Sequence, residues 1–153
     1  MSVHALPDLP ATARLARGLA QLLVPDMALA LDGPVGAGKT TLVRALVAEL
    51  GGDAQQVASP TYTLLHQYRA RCPIVHCDAY RLADAAGLAA LGFDELREGA
   101  IAVVEWAERV MPALTGGPLW SIRLDHHPGG GRQATVTTPP GLEGKWLHEM
   151  RER

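Results

Sequence analysis

The sequence predicts an α/β fold with a mostly parallel central sheet and antiparallel additions, on three observations. Met27-Ala28-Leu29-Ala30-Leu31 is an apolar run of strand length, followed by a glycine-rich stretch and then by Leu42, Val43, Leu46, Val47 and Leu50 at helical spacing. Two further apolar runs, Ile74-Val75-His76-Cys77 and Ala100 to Val104, each close on an acid, Asp78 and Glu105. Strands apolar on both faces belong to sheets covered on both sides. Last, Leu119 to Leu124 and Gln133 to Thr138 alternate, and Gly129-Gly130-Gly131 between them marks an antiparallel hairpin.

Taken in order, Ser2 to Leu6 is a short edge strand, and Leu15, Leu19, Leu22 and Leu23 form the apolar face of a first helix that Pro25-Asp26 ends. The strand, loop and helix follow, and Gly51-Gly52 stops that helix. Pro60 forces Ser59 into an extended conformation, and Thr61 to Tyr68 reads as strand. After the strand ending at Asp78, Ala83 to Leu96 is helical with an interruption at Gly92. The strand ending at Glu105 and the hairpin come next, and an amphipathic helix over Leu142 to Met150 closes the chain. With 153 residues and no internal repeat, the expectation is one domain over residues 1–153.

Composition narrows the function classes. Apolar residues make up 48% of the chain, enough for a packed core. Net charge is −2 and the pI about 6.3, so there is no basic footprint for gripping nucleic acid directly. No run reaches transmembrane length, and the first residues lack the charged start and apolar core of a signal peptide. Cys72 and Cys77 match no zinc or redox spacing and read as reduced thiols. His126-His127 beside the glycines reads as a solvated turn. The expected location is the cytoplasm, with no membrane partner.

Gly33-Pro34-Val35-Gly36-Ala37-Gly38-Lys39-Thr40-Thr41 fits G-x-x-x-x-G-K-T, the phosphate-binding loop of nucleoside triphosphatases. Its glycines let backbone N–H groups converge on an anion at a helix N-terminus, where the helix dipole favours negative charge. Lys39 supplies a compact positive charge for the β- and γ-phosphates, and the Thr40 hydroxyl can ligate the bridging Mg²⁺. The expected nucleotide contacts are Gly33, Gly36, Ala37, Gly38, Lys39, Thr40 and Thr41. The motif lies between a buried strand and a helix, as such a loop requires, which specifies the α/β expectation further as a P-loop NTPase-like three-layer fold.

A phosphate loop needs a carboxylate for the metal shell. Glu105 closes an apolar strand in the Walker B manner; the alternative is an exposed carboxylate at a strand end. Asp78 can coordinate Mg²⁺ through water or orient the attacking water; the alternative is a helix N-cap. Ser59, Thr61 and Thr63 offer hydroxyls on a segment suited to sensing a γ-phosphate, or they form an ordinary turn. Trp106 either flanks the nucleotide or is an ordinary aromatic.

Gly33 to Thr41, Ser59-Pro60-Thr61-Tyr62-Thr63-Leu64, His76-x-Asp78-x-Tyr80-Arg81-Leu82 and Glu105-Trp106 together resemble, in order and spacing, the TsaE (YjeE) family over roughly residues 10 to 140. The resemblance implies a small bacterial cytosolic ATPase needed for N6-threonylcarbamoyladenosine (t6A) at position 37 of tRNAs reading ANN codons. It implies work alongside a TsaD–TsaB pair, with tRNA reached through that complex. By the same resemblance, Lys39 and Thr40 bind phosphates and Mg²⁺, Glu105 is the Walker B acid and second metal ligand, Asp78 is a catalytic or metal-shell acid, and Thr61 with its neighbours is a switch segment. Pro34 departs from the family, in which an acidic residue is common there, and it removes one possible phosphate donor.

Other classes fit less well. A P-loop small-molecule kinase needs an arginine-bearing lid and an acceptor pocket, and the arginines here are spread singly. A GTPase needs an N/T-K-x-D guanine reader; the two lysines are Lys39 and Lys145, and Lys145 is followed by Trp146-Leu147. A nucleotide-gated assembly protein, with hydrolysis as a timer, overlaps with the family expectation.

Overall fold

The computed structural model describes residues 1–58 and 64–152. Among them, seven strands form one sheet in the order β1-β7-β6-β2-β5-β4-β3. The strands are β1 (Ser2–Leu6), β2 (Ala28–Asp32), β3 (Leu65–Tyr68), β4 (Ile74–Asp78), β5 (Ile101–Glu105), β6 (Leu119–His126) and β7 (Arg132–Thr137). The central four, β6, β2, β5 and β4, run parallel, while β1, β7 and β3 pair antiparallel at the flanks. The expected α/β class, edge strand and hairpin are all present. The expected strand from Thr61 is seen only from Leu65; Ser59, Pro60, Thr61, Tyr62 and Thr63, and with them the expected switch segment, lie outside the described residues.

Strands β2, β4 and β5 are buried on both faces, whereas β6 buries one, and side chains alternate between the two. Leu29, Leu31, Ile101, Val103, Trp120 and Ile122 join a core with α1 (Leu9–Leu22), α2 (Lys39–Glu49) and α5 (Glu143–Arg151). In that core Trp120 and Trp146 meet edge to face with ring centres 5.6 Å apart. Ala28, Ala30, Val75, Cys77, Ala102 and Val104 form the second core, under Leu88 of α3 (Ala85–Ala90), Phe93 of α4 (Phe93–Leu96), Val110 and Leu114. The first face is built from large side chains and long helices. The second has mainly small strand residues under short helical pieces.

Local chemistry sets the helix ends. The Asp8 carboxylate accepts from the Ala11 amide at 2.9 Å and caps α1. The carbonyls of Ala20 and Leu23 at the far end of α1 both accept from the Arg71 guanidinium, which ties that helix to the β3–β4 connection. Asp84, not Asp78, caps α3, accepting from the Gly87 amide at 3.1 Å. No helix among the described residues is long and apolar enough to cross a membrane.

Candidate functional site

The glycine-rich loop joins the carboxyl end of β2 to α2. Gly33 has φ +144°, and a Cβ there would come within 2.1 Å of the Leu124 carbonyl oxygen on β6, so only glycine fits this approach. Gly38, with φ +101°, caps α2 without a side-chain bond. The first bond of the helix is Leu42 N–H to Gly38 O, at 2.9 Å. The Lys39, Thr40 and Thr41 amides therefore open outward at a helix N-terminus, where an anion is favoured. Ala37 is buried against the core, and its amide closes a turn on the Pro34 carbonyl at 3.1 Å. On the outer side the Arg132 guanidinium donates to the Gly36 carbonyl at 3.0 Å and holds the loop to β7.

The register of the sheet brings the two predicted acids beside this loop. Glu105 lies opposite Leu31 of β2 on one side and Asp78 of β4 on the other, all at carboxyl ends of parallel strands. Ligands of open α/β sheets sit at those ends. Gly36, Lys39, Thr40, Asp78, Glu105 and Trp106 line a hollow of about 500 Å³ there.

Glu105 is only 3% exposed, which overturns the reading of a solvated carboxylate. A carboxylate buried this deeply needs partners, and each oxygen has one. Oε1 accepts from the Thr40 hydroxyl at 3.0 Å, and Oε2 lies 2.6 Å from His76 Nε2. The chain continues to Tyr68, whose hydroxyl is 2.9 Å from His76 Nδ1. An ionised carboxylate only accepts, so Nε2 carries the hydrogen, and in the neutral ring Nδ1 accepts from Tyr68.

Asp78 lines the hollow and accepts from the Tyr80 amide at 2.8 Å, closing a tight turn and not a helix. Burial raises its carboxyl above the ordinary value; the Tyr80 amide opposes this and the Glu105 charge adds to it. Lys39 is 6% exposed. Its Nζ donates to the Gly33 carbonyl at 2.5 Å and the Pro34 carbonyl at 3.0 Å, and lies 4.3 Å from the centre of the Trp106 ring. Burial lowers its pKa, against the pull of Glu105, Asp78 and Asp32.

Trp106 is a wall of the hollow and not an ordinary core aromatic. It takes φ +56°, a left-handed conformation that strains a residue carrying a Cβ. The turn is fixed from β2, where Asp32 Oδ1 accepts from the Glu108 amide at 3.1 Å. The Trp106 ring also packs against Tyr80, with ring centres 5.0 Å apart.

Of the predicted site residues, Gly36, Gly38, Lys39, Thr40, Thr41, Asp78, Glu105 and Trp106 converge on this hollow, with Gly33 and Ala37 in its supporting loop. Thr61 lies outside the described residues. Sequence reasoning assigned no role to four supports: His76, which it named only as part of a motif, and Tyr68, Asp32 and Arg132. For His76 a signal existed, because it sits two residues before Asp78 and so on the same strand face. The cysteines are free, and burial, with the Asp78 and Glu105 charges adding, pushes the Cys77 thiol up to about 12, as expected of an inert thiol.

The donor set next to the loop is a hydroxyl and a carboxylate, oxygen ligands of the kind a hard cation takes. Two such donors fit Mg²⁺, which fills out its shell with phosphates and waters.

Comparison with known proteins supplies the relationship. A relative from Rickettsia conorii, the "tRNA threonylcarbamoyladenosine biosynthesis protein TsaE", is 36% identical over 124 residues, covering 80% of this chain and 70% of its own length. The protein of the same name from Nostoc is 34% identical, covering 86% of this chain and 83% of the relative. The one from Treponema pallidum is 38% identical, covering 67% and 76%. The crystal structure of Bacillus subtilis YdiB shares the fold, with a TM-score of 0.74 at 23% identity over 99% of this chain and 94% of that one. Residues 6–134 match the family described as "Threonylcarbamoyl adenosine biosynthesis protein TsaE", and the chain belongs to that family.

Proposed function

We propose that this protein is a Mg²⁺-dependent ATPase of the P-loop class, serving t6A formation at position 37 of tRNAs that read ANN codons. The observation that carries the reading is the Thr40 hydroxyl 3.0 Å from the buried Glu105 carboxylate, directly beneath the glycine-rich loop. The relatives' names supply the pathway.

In this reading, loop amides and the α2 N-terminus bind the phosphates. Lys39 exchanges the Gly33 and Pro34 carbonyls for phosphate oxygens. Thr40 and Glu105 hold Mg²⁺, which when bound neutralises charge developing on the phosphates. Asp78, lying beside Glu105, holds an attacking water or a metal-bound one. A second hollow of about 260 Å³ shares Gly36, Gly38 and Thr41 with the first and is lined by Leu6, Pro7, Thr12 and Leu42. Its mixed lining, with Asp8 and Arg132 beside the apolar side chains, offers both contact area and polar groups to the base.

The buried polar side chains among the described residues, Lys39, His76 and Glu105, gather at or behind one hollow, and in this reading ATP works as a conformational signal to a TsaD–TsaB pair, in the cytoplasm, with tRNA reached through that pair. Turnover is weak alone and clear with the partners. The test measures ATP turnover and threonylcarbamoyl transfer to tRNA, omitting each component in turn. Equal turnover by this chain alone, or multiple-turnover modification without it, sinks the signal reading. A phosphorylated small molecule as product would make it a kinase. In a parallel optical test, Mg²⁺-ATP shifts the emission and Trp106→Phe abolishes the shift, because Trp120 and Trp146 are buried away from the hollow. A shift surviving in Trp106→Phe removes that ring from the site.

A further inference from the structure

Glu105 is held from behind as well as from the loop. His76 stands on β4 opposite Val103 of β5, one pleat away from the Asp78–Glu105 pair. It is fully buried, and its imidazole spans the gap between Glu105 Oε2 at 2.6 Å and the Tyr68 hydroxyl at 2.9 Å. Tyr68 itself is buried at the end of β3, with its ring centre 5.8 Å from that of His76. His76 is fully buried and Tyr68 and Glu105 nearly so, and the hydrogen-bond direction is set by their chemistry. Tyr68 donates to His76, and His76 donates to Glu105.

We infer that His76, oriented by Tyr68, is the positioning residue that fixes the Glu105 carboxylate for the metal. This rests on the Mg²⁺-ATP reading above. A glutamate side chain has three rotatable bonds, and Thr40 alone fixes one oxygen. The Nε2–H of His76 takes Oε2, so the carboxylate plane is set before any nucleotide arrives. Partners of this kind orient metal-binding carboxylates, and losing one typically costs about 10–100-fold in metal affinity or activity.

The test compares two substitutions of similar size. Asparagine places its amide near the position of imidazole Nδ1, short of Glu105. Glutamine reaches the position of Nε2 and keeps a donor on Oε2. Calorimetry measures ATP affinity with EDTA and with Mg²⁺, and steady-state kinetics measures kcat and KM. In His76→Asn the EDTA affinity stays as in wild type, the gain from Mg²⁺ falls about tenfold or more, and kcat falls with it. In His76→Gln most of the Mg²⁺ gain and kcat return.

An undiminished Mg²⁺ gain in His76→Asn overturns the inference. So does an EDTA affinity that falls together with thermal stability in both variants, which marks His76 as a packing residue only. If wild-type protein shows no Mg²⁺-enhanced ATP binding, the ATPase reading fails first and this inference with it.

Discussion

The two oxygens of Glu105 face different regions of the protein, and the regions are built differently. Oε1 meets Thr40 in the first turn of α2, at the mouth of an open hollow. Oε2 meets His76, which is fully buried against the sheet and backed by Tyr68. The loop side offers exchangeable partners: a hydroxyl, outward amides, and a lysine resting on carbonyls it can leave. The core side offers partners with nowhere else to go. One carboxylate thus joins a region made for ligand exchange to a region made to stay still.

Removing the joint has the largest effect. Glu105→Ala keeps the fold by circular dichroism but lowers Mg²⁺-dependent phosphate release by about 10²-fold, the scale of losing one preorganised electrostatic group. Hydrolysis at the wild-type rate would return Glu105 to a structural role and dissolve the comparison.

On the loop side alone, Lys39→Ala weakens ATP binding at least about tenfold, roughly 1.4 kcal/mol, read by calorimetry on folded protein. Unchanged affinity would mean that the loop does not bind phosphate. On the core side alone, Tyr68→Phe leaves His76 Nδ1 buried without its donor and lowers unfolding stability by about 1–3 kcal/mol in urea. ATP affinity in EDTA stays unchanged. A loss of that affinity would show that the two regions are not separable.

The smallest effect on stability is at Asp78. Its carboxyl is raised by burial, so at neutral pH its charge opposes folding. This unfavourable contribution is complete above the raised folded-state value and vanishes below the ordinary value of 3.8. Asp78→Asn therefore raises the Tm slightly at pH 7, and the gain shrinks as pH falls toward 3.8. The same variant loses hydrolysis. A Tm gain that persists at pH 3 would assign the stabilisation to something other than the charge.

How much of this was legible in the sequence follows the same division. The loop side is local: Gly33 to Thr41 are consecutive, and a strand before them and a helix after them impose the geometry. Glu105 and Asp78 were legible because each closes an apolar run, and strand ends in a parallel sheet face one way. The core side was not, because Tyr68, His76 and Glu105 are brought together only by the pairing of β3 with β4 and β4 with β5. Trp106 was visible as a neighbour of Glu105, but its ring reaches Lys39 through a left-handed backbone held by Asp32, which no local pattern announces.

Local patterns specify the α/β class, the glycine loop, the two acids and most of the elements, since periodicity, glycine placement and apolar runs act over a few residues. Tertiary structure alone decided which oxygen of Glu105 meets which partner, that Lys39 rests against Trp106, and that a histidine stands behind the acid. Those contacts depend on strand register, and a one-residue slip in register turns every side chain of a strand to the other face.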